Sequence, residues 1–326
     1  MNATIVGASG YSGRELVSLL VNHPEVTLSQ VTSRALAGQS VHSEIPNVRG
    51  KVKDLCFSNP SIRELTEQSE CELFFLALPH GTAASYAIPL LESGKKVIDL
   101  SADFRLKTSE GYEEFYGSPP PSPQWLAKAA YGLPEIHSLS WEKSPLIASP
   151  GCYPTSILIP LFPLLQSKLI QKQDIIANSM SGVSGAGRNA TVKLLFCERN
   201  ESASAYGLPK HRHLSEIEEQ LSIAAEKQVI ISFHPHLAPM NRGICSTISS
   251  VSEGKLKRNT IIECWKEFYN DRKFVHILDE GEFPDVKHVV GTNRIDIAVN
   301  EDHRTGRYII CSAEDNLLKG AGGQAV

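Results

Sequence analysis

Short apolar runs alternate with amphipathic stretches through the first hundred residues. Positions 3–7, 26–32, 71–78 and 96–100 are rich in β-branched, leucine and aromatic residues and predict strands, while 11–21 and 82–92 carry apolar residues at helical spacing. Alternation of this kind predicts a parallel sheet covered on both faces. The proline-dense stretch 118–124 (SPPPSPQ) reads as a surface loop. The pattern changes near residue 145. A short strand at 146–148 and a helix at 153–166 are followed by strand patterns at 174–180, 229–233, 243–251, 294–300 and 307–313, with helices mainly at 213–225 and 259–269. This predicts a mixed, largely antiparallel sheet with helices on one face. The stretch 315–326 (DNLLKGAGGQAV) is helical in pattern but rich in glycine, so it needs close packing to hold it. The fold class expected is therefore α/β, a Rossmann-type doubly wound parallel sheet plus a second α/β domain.

Length supports the division, since 326 residues exceed the roughly 250 that one core fills. A net charge of −4 with 21% charged residues and no basic tract gives no reason to expect nucleic acid. The longest apolar stretch, 157–165, is interrupted by prolines and far short of the roughly 20 residues of a membrane helix. No charged segment followed by an apolar core opens the chain, so no secretory leader is expected. Seven cysteines without a CxxC pair fit neither a disulfide framework nor a zinc site, and a cytoplasmic protein without a metal is expected.

Gly7-Ala8-Ser9-Gly10-Tyr11-Ser12-Gly13 follows the first strand and opens the first helix. In that setting the first glycine permits a tight turn, the second admits a pyrophosphate and the third lets helix and strand pack closely. A plain structural corner is the alternative. Where an NAD site carries an acid at the end of the second strand, this chain has Thr32-Ser33-Arg34, whose hydroxyls and guanidinium suit the 2′-phosphate of NADP.

Cys152, in ASPGCYPTS, stands at the mouth of an apolar helix, where the dipole and unsatisfied N–H groups favour a thiolate. A nucleophilic cysteine needs an acid or base. His211 and His213 lie in a basic cluster with Lys210 and Arg212 at a helix start, and His80, His234 and His236 compete with them. Arg105, Arg188 and Arg242 are candidate partners for phosphate or carboxylate groups.

Together with LALPHG (76–81), DLSADFRL (99–106), YGLPE (131–135), SGVSGAGR (181–188) and the terminal DNLLKGAGGQAV, these stretches resemble, from end to end, the N-acetyl-γ-glutamyl-phosphate reductase family. The resemblance implies an NADP-binding Rossmann domain over 1–146, completed by a C-terminal helix at 314–326, and a catalytic and oligomerisation domain over 147–313. It implies reduction of N-acetyl-γ-glutamyl phosphate by NADPH, in arginine biosynthesis, by a homo-oligomer (dimer or tetramer). Cys152 is the implied nucleophile and His211 the implied acid/base, stabilising the thiolate and supplying a proton. The cofactor residues implied are Gly7 to Gly13, Ser33, Arg34, Pro79, Ser184, Gly185 and Asn316, with Arg105, Arg188 and Arg242 on the substrate. Two departures stand out: Ser156 replaces the glycine or alanine usual there, and the chain stops at Val326 within the glycine-rich segment, which leaves the docking of that segment less certain. The rival expectations are an aspartate-semialdehyde dehydrogenase, a cofactor-free thiol acyltransferase or hydrolase, and a non-catalytic NADPH-binding regulator.

Overall fold

A computed structural model of the chain describes residues 1–52, 54–137, 143–254 and 257–326. Its first sheet grows from β1 (Asn2–Val6), which is buried from Ala3 onward between β2 (Thr27–Thr32) and β4 (Leu73–Leu76). With β3 (Phe57–Ser58), β5 (Lys96–Asp99), β6 (Ala130–Tyr131) and β7 (Leu146–Ala148) the order is β3-β2-β1-β4-β5-β7-β6, every pairing parallel. Consecutive side chains of β4 serve opposite faces. Phe75 joins the core under α1 (Tyr11–Leu20), and Phe74 and Leu76 join the core under α2 (Ala83–Glu92). The strand order reverses between β1 and β4, so a crevice opens at their carboxyl ends, where such sheets take ligands. A further helix, α3 (Ser109–Tyr116), starts at a Thr108 cap and ends at the left-handed Gly117.

The second sheet comprises β8 (Ile175–Ser181), β9 (Ser204–Ala205), β10 (Ile231–Leu237), β11 (Ile244–Val251), β12 (Val275–Ile277), β13 (Ile295–Asp302) and β14 (Arg307–Glu314), in the order β12-β13-β14-β11-β8-β10-β9. Only the β12–β13 and β8–β10 pairings are parallel, so the sheet is mixed and mostly antiparallel. The strand expected to stop at residue 233 continues through His234-Pro235-His236. Proline is tolerated there because only the two-residue β9 covers that side of β10.

At the centre of this unit lies α4 (Cys152–Gln166), buried from Tyr153 to Leu165 and packed by α5 (His213–Ala225), α6 (Arg258–Phe268) and strands β11 and β14. Two prolines inside it would leave carbonyls without a donor. The Ser156 carbonyl opposite Pro160 accepts from Ser312 Oγ at 2.7 Å, and the Ile159 carbonyl opposite Pro163 accepts from Tyr269 Oη at 2.5 Å. Ser156 itself shares a buried hydroxyl chain with Ser246 and Ser179 (2.8 and 2.7 Å), so a polar residue at this tightly packed position is satisfied.

By contacts the chain divides into Met1–Leu133 with His137–Pro150 and Ala321–Val326, and Pro134–Ile136 with Gly151–Gly320. The strand at 146–148 inserts beside β5, which carries the first unit on to Pro150, and the terminal segment changes unit at residue 321. That segment is no single helix. Leu318–Gly322 forms one wide π turn and Gly323–Ala325 one α turn, with Ala325 against the core under α1.

Candidate active site

In the first unit the glycine turn is shaped by steric need. Gly7 has φ +88°, and a Cβ on it would lie 2.5 Å from the Ala77 carbonyl oxygen at the end of β4. A Cβ on Gly13 would lie 2.5 Å from the Gly7 carbonyl oxygen, so this glycine lets α1 close on the turn. A Cβ on Gly10 would meet nothing nearer than 3.7 Å. The glycine with open space caps α1 without a side-chain bond, leaving first-turn N–H groups for an anion. Ser33 Oγ donates to Ser9 Oγ at 3.0 Å, tying the end of β2 to the turn, and Arg34 beyond it is exposed. Pro79 is exposed just past β4. A dinucleotide phosphate fits this surface.

In the second unit Cys152 is the first residue of α4, after Gly151 in extended conformation. Gly151 N–H donates to Glu216 Oε1 at 2.9 Å, and Glu216, in the first turn of α5, is 1% exposed. The start of the Cys152 helix is thus pinned to the start of α5. Cys152 lines a cleft of about 810 Å³ with Tyr153, Tyr206, His211 and His213, and the cations Lys193, Arg199, Lys210 and Arg212 lie on its wall.

His211 packs edge-on among Tyr153, Tyr206, His213 and Phe233, with ring centroids 4.9 to 5.8 Å away. Gly207 makes room for it, since a Cβ there would lie 2.8 Å from His211 Cδ2. The His211 Nδ1 accepts the His213 backbone N–H at 3.1 Å, which leaves the proton of the neutral ring on Nε2. Burial, and then the Arg212 charge, push the His211 pKa down to about 4. The ring is therefore neutral near pH 7 and offers its Nε2–H as a hydrogen-bond donor. Burial likewise pushes the Tyr206 phenol up to about 12, and its hydroxyl donates to Tyr153 Oη at 3.0 Å.

The arginines implied on the substrate have the following surroundings. Arg105, buried in the first unit, gives Nε to the Ser149 carbonyl and Nη2 to the Leu100 carbonyl, both at 2.8 Å, and so ties together the ends of β5 and β7. Arg188 is exposed and Arg242 forks onto the buried Asp315 (3.0 and 3.2 Å); neither lines the cleft. Ser184, Gly185 and Asn316 do come together. Asn316 Nδ2 donates to Ser184 Oγ at 3.0 Å, and its Oδ1 accepts the Gly243 N–H at 2.7 Å. His234 and His236 bond to Asn178 and to a backbone carbonyl on β10, and His80 contacts Asp103 in the first unit at 2.7 Å.

Glu216 escaped the sequence reading because an acid in a first helical turn is ordinary. Glu216→Ala is expected to cost about 1–3 kcal/mol, because it strands a buried N–H, and to lower kcat without changing NADPH affinity. Glu216→Gln, whose amide oxygen can still accept, should recover most of both losses in thermal melts and steady-state rates.

A nucleotide turn on a doubly wound sheet, with a thiol heading a buried helix over a mixed sheet, defines the semialdehyde dehydrogenase class. Two family models of that class match the chain, the semialdehyde dehydrogenase NAD binding domain over residues 2–143 and the dimerisation domain over 152–316. Within the class the chain belongs to the N-acetyl-γ-glutamyl-phosphate reductase family. It is 49% identical over 327 residues to the N-acetyl-gamma-glutamyl-phosphate reductase of Akkermansia muciniphila, covering 100% of this chain and 94% of that one. The Desulfotalea psychrophila protein of the same name is 46% identical, with 99% and 92% covered. Among solved structures, aspartate semialdehyde dehydrogenase II from Vibrio cholerae complexed with ASA shares the fold at a TM-score of 0.75 and 15% identity, covering 99% of this chain and 95% of that one.

Proposed function

We propose that the protein reduces N-acetyl-γ-glutamyl phosphate to N-acetylglutamate 5-semialdehyde, with release of phosphate, through a thioester on Cys152, as a step in arginine biosynthesis. The observation that carries this reading is the pairing, in one cleft, of a helix-heading cysteine with a histidine whose Nε2–H is free to donate by virtue of its Nδ1 bond. The Cys152 sulfur attacks the acyl carbon as phosphate leaves. When bound, NADPH supplies the hydride that turns the thioester into a thiohemiacetal. The developing oxyanion accepts a hydrogen bond from the His211 Nε2–H, whose proton stays on the ring, and collapse to the aldehyde returns the thiolate.

Gly7 to Gly13 are assigned to the pyrophosphate, Ser33 and Arg34 to the 2′-phosphate, and Pro79, Ser184, Gly185 and Asn316 to the rest of the cofactor. Lys193, Arg199, Lys210 and Arg212 suit a substrate bearing a phosphate and a carboxylate. A homodimer would cover the face of the second sheet turned away from α4, where Asn178, Met180, Ser232 and Thr247 are exposed. No helix among the described residues is long and apolar enough to cross a membrane, none of the seven cysteines is in a disulfide, and we place the protein in the cytoplasm.

The test is NADP reduction with N-acetylglutamate 5-semialdehyde and phosphate, run beside aspartate semialdehyde. Turnover should require phosphate and the acetylated substrate. Faster turnover of aspartate semialdehyde would assign the neighbouring activity instead.

A further inference from the structure

Cys152 and His213 are the first residues of α4 and α5, and both line the same cleft. The positive ends of two helix dipoles are thus brought to it. Side chains add to that charge. Lys193, Arg199, Lys210 and Arg212 stand on the wall, and the only acid among the described residues that line it is Glu198, which is exposed and next in sequence to Arg199. Arg199 gives Nη1 to Ser204 Oγ and Nη2 to Ser202 Oγ, both at 3.1 Å, which fixes one of these cations in place.

Two further acids lie close to Cys152, and neither lines the cleft. Glu216 is buried and accepts the Gly151 N–H at 2.9 Å. Glu314 is fully buried beside Gly320, and burial pushes its pKa well above the usual carboxylate range. A cleft charged in this way distinguishes the forms of an α-nitrogen. A free α-amino group is protonated near pH 7, whereas an acylated nitrogen carries no charge and a chain without nitrogen carries none either. Among like charges an ammonium is repelled.

We infer that the cleft recognises acylation of its substrate as the absence of a positive charge. Its ligand class is then dicarboxylate chains without an ammonium, whether the α-nitrogen is acylated or missing. The acyl group needs room more than a partner, and a cleft of about 810 Å³ provides it. This deepens the reductase reading and rests on it, since that reading brings a carboxylate, a phosphate and an α-nitrogen to these residues.

Binding can be read without turnover, as protection of Cys152 from iodoacetamide by glutarate, N-acetylglutamate or glutamate, with peptide mass spectrometry separating Cys152 from the other cysteines. Glutarate and glutamate differ only in the α-ammonium. Glutarate and N-acetylglutamate should half-protect at concentrations at least about tenfold below glutamate. Raising the salt from about 0.05 to 0.5 M should narrow the gap, because exposed charges are then screened at shorter range. Replacing Lys193 and Lys210 together by alanine should narrow it too, since glutarate loses an attraction while glutamate loses a repulsion along with it. Glutamate protecting as well as glutarate overturns the proposal, as does a gap that salt leaves unchanged. Protection by N-acetylglutamate without protection by glutarate also overturns it, by making the acetyl group a contact in its own right, and so does protection by none of the three. Selective protection in a protein that fails to oxidise N-acetylglutamate 5-semialdehyde would keep the charge selection and reject the reductase reading. Turnover of that semialdehyde without a gap between glutarate and glutamate would do the reverse.

Discussion

Cys152→Ser is expected to lower kcat for phosphate-dependent semialdehyde oxidation by about 10⁴-fold or more, in line with the cost of deleting a nucleophile elsewhere, and to change the Kd for NADPH by less than about twofold. The serine hydroxyl matches the thiol in shape and keeps its place at the start of α4, so folding should survive. What it loses is ionisation. A hydroxyl is far harder to deprotonate than a thiol, and His211, carrying its proton on Nε2, is in no state to take one. The expected pair of results is a silent variant by NADP reduction and a normal one by NADPH fluorescence titration. Wild-type turnover in the serine variant would eliminate the thioester, and a parallel loss of cofactor binding would mean that the substitution had disturbed more than the nucleophile.

The parts of this molecule that local pattern decides were legible in the sequence. The strand and helix over Asn2–Val6 and Tyr11–Leu20, the helix His213–Ala225 and the alternation of the first unit follow from apolar periodicity alone. The helix start at Cys152 was also legible, because Pro-Gly before an apolar run marks one whatever packs around it. The remainder of the site depends on contacts far apart in the chain. Nothing local shows that Glu216 reaches Gly151, that Gly320 lies against Cys152, or that Arg105 is spent on the Leu100 and Ser149 carbonyls. The terminal segment shows the limit most clearly. Its glycines called for a close neighbour, and only the fold identifies Cys152 and Glu314 as that neighbour at Gly320, where a side chain would displace Cys152. His211 was legible as a candidate, but its charge was not, because the charge is set first by burial among aromatic rings from distant parts of the chain and then by Arg212.

That charge leads to a second large effect. His211→Phe, which suits the aromatic surroundings but removes the donor, is expected to lower kcat by about 10²–10⁴-fold, and His211→Gln, which keeps an N–H donor, should recover part of the loss. The pH dependence separates a neutral donor from a cation. Burial and Arg212 hold the folded pKa down at about 4, against the ordinary histidine value of about 6.5 in the unfolded chain. Between those values the unfolded state binds more protons, so stability from this residue is complete above about pH 6.5 and is lost as pH falls toward 4. The melting temperature should therefore drop on acidification across that window, and drop less in His211→Phe. Activity should follow a different course. With the ring neutral throughout the working range, kcat should show no acid limb near pH 6.5 that belongs to His211, and the limb it does cause should lie near pH 4. An acid limb near 6.5 that vanishes in His211→Phe would mean that the ring titrates as the enzyme turns over, and the assignment of Nε2–H as a fixed donor to the oxyanion would fall with it.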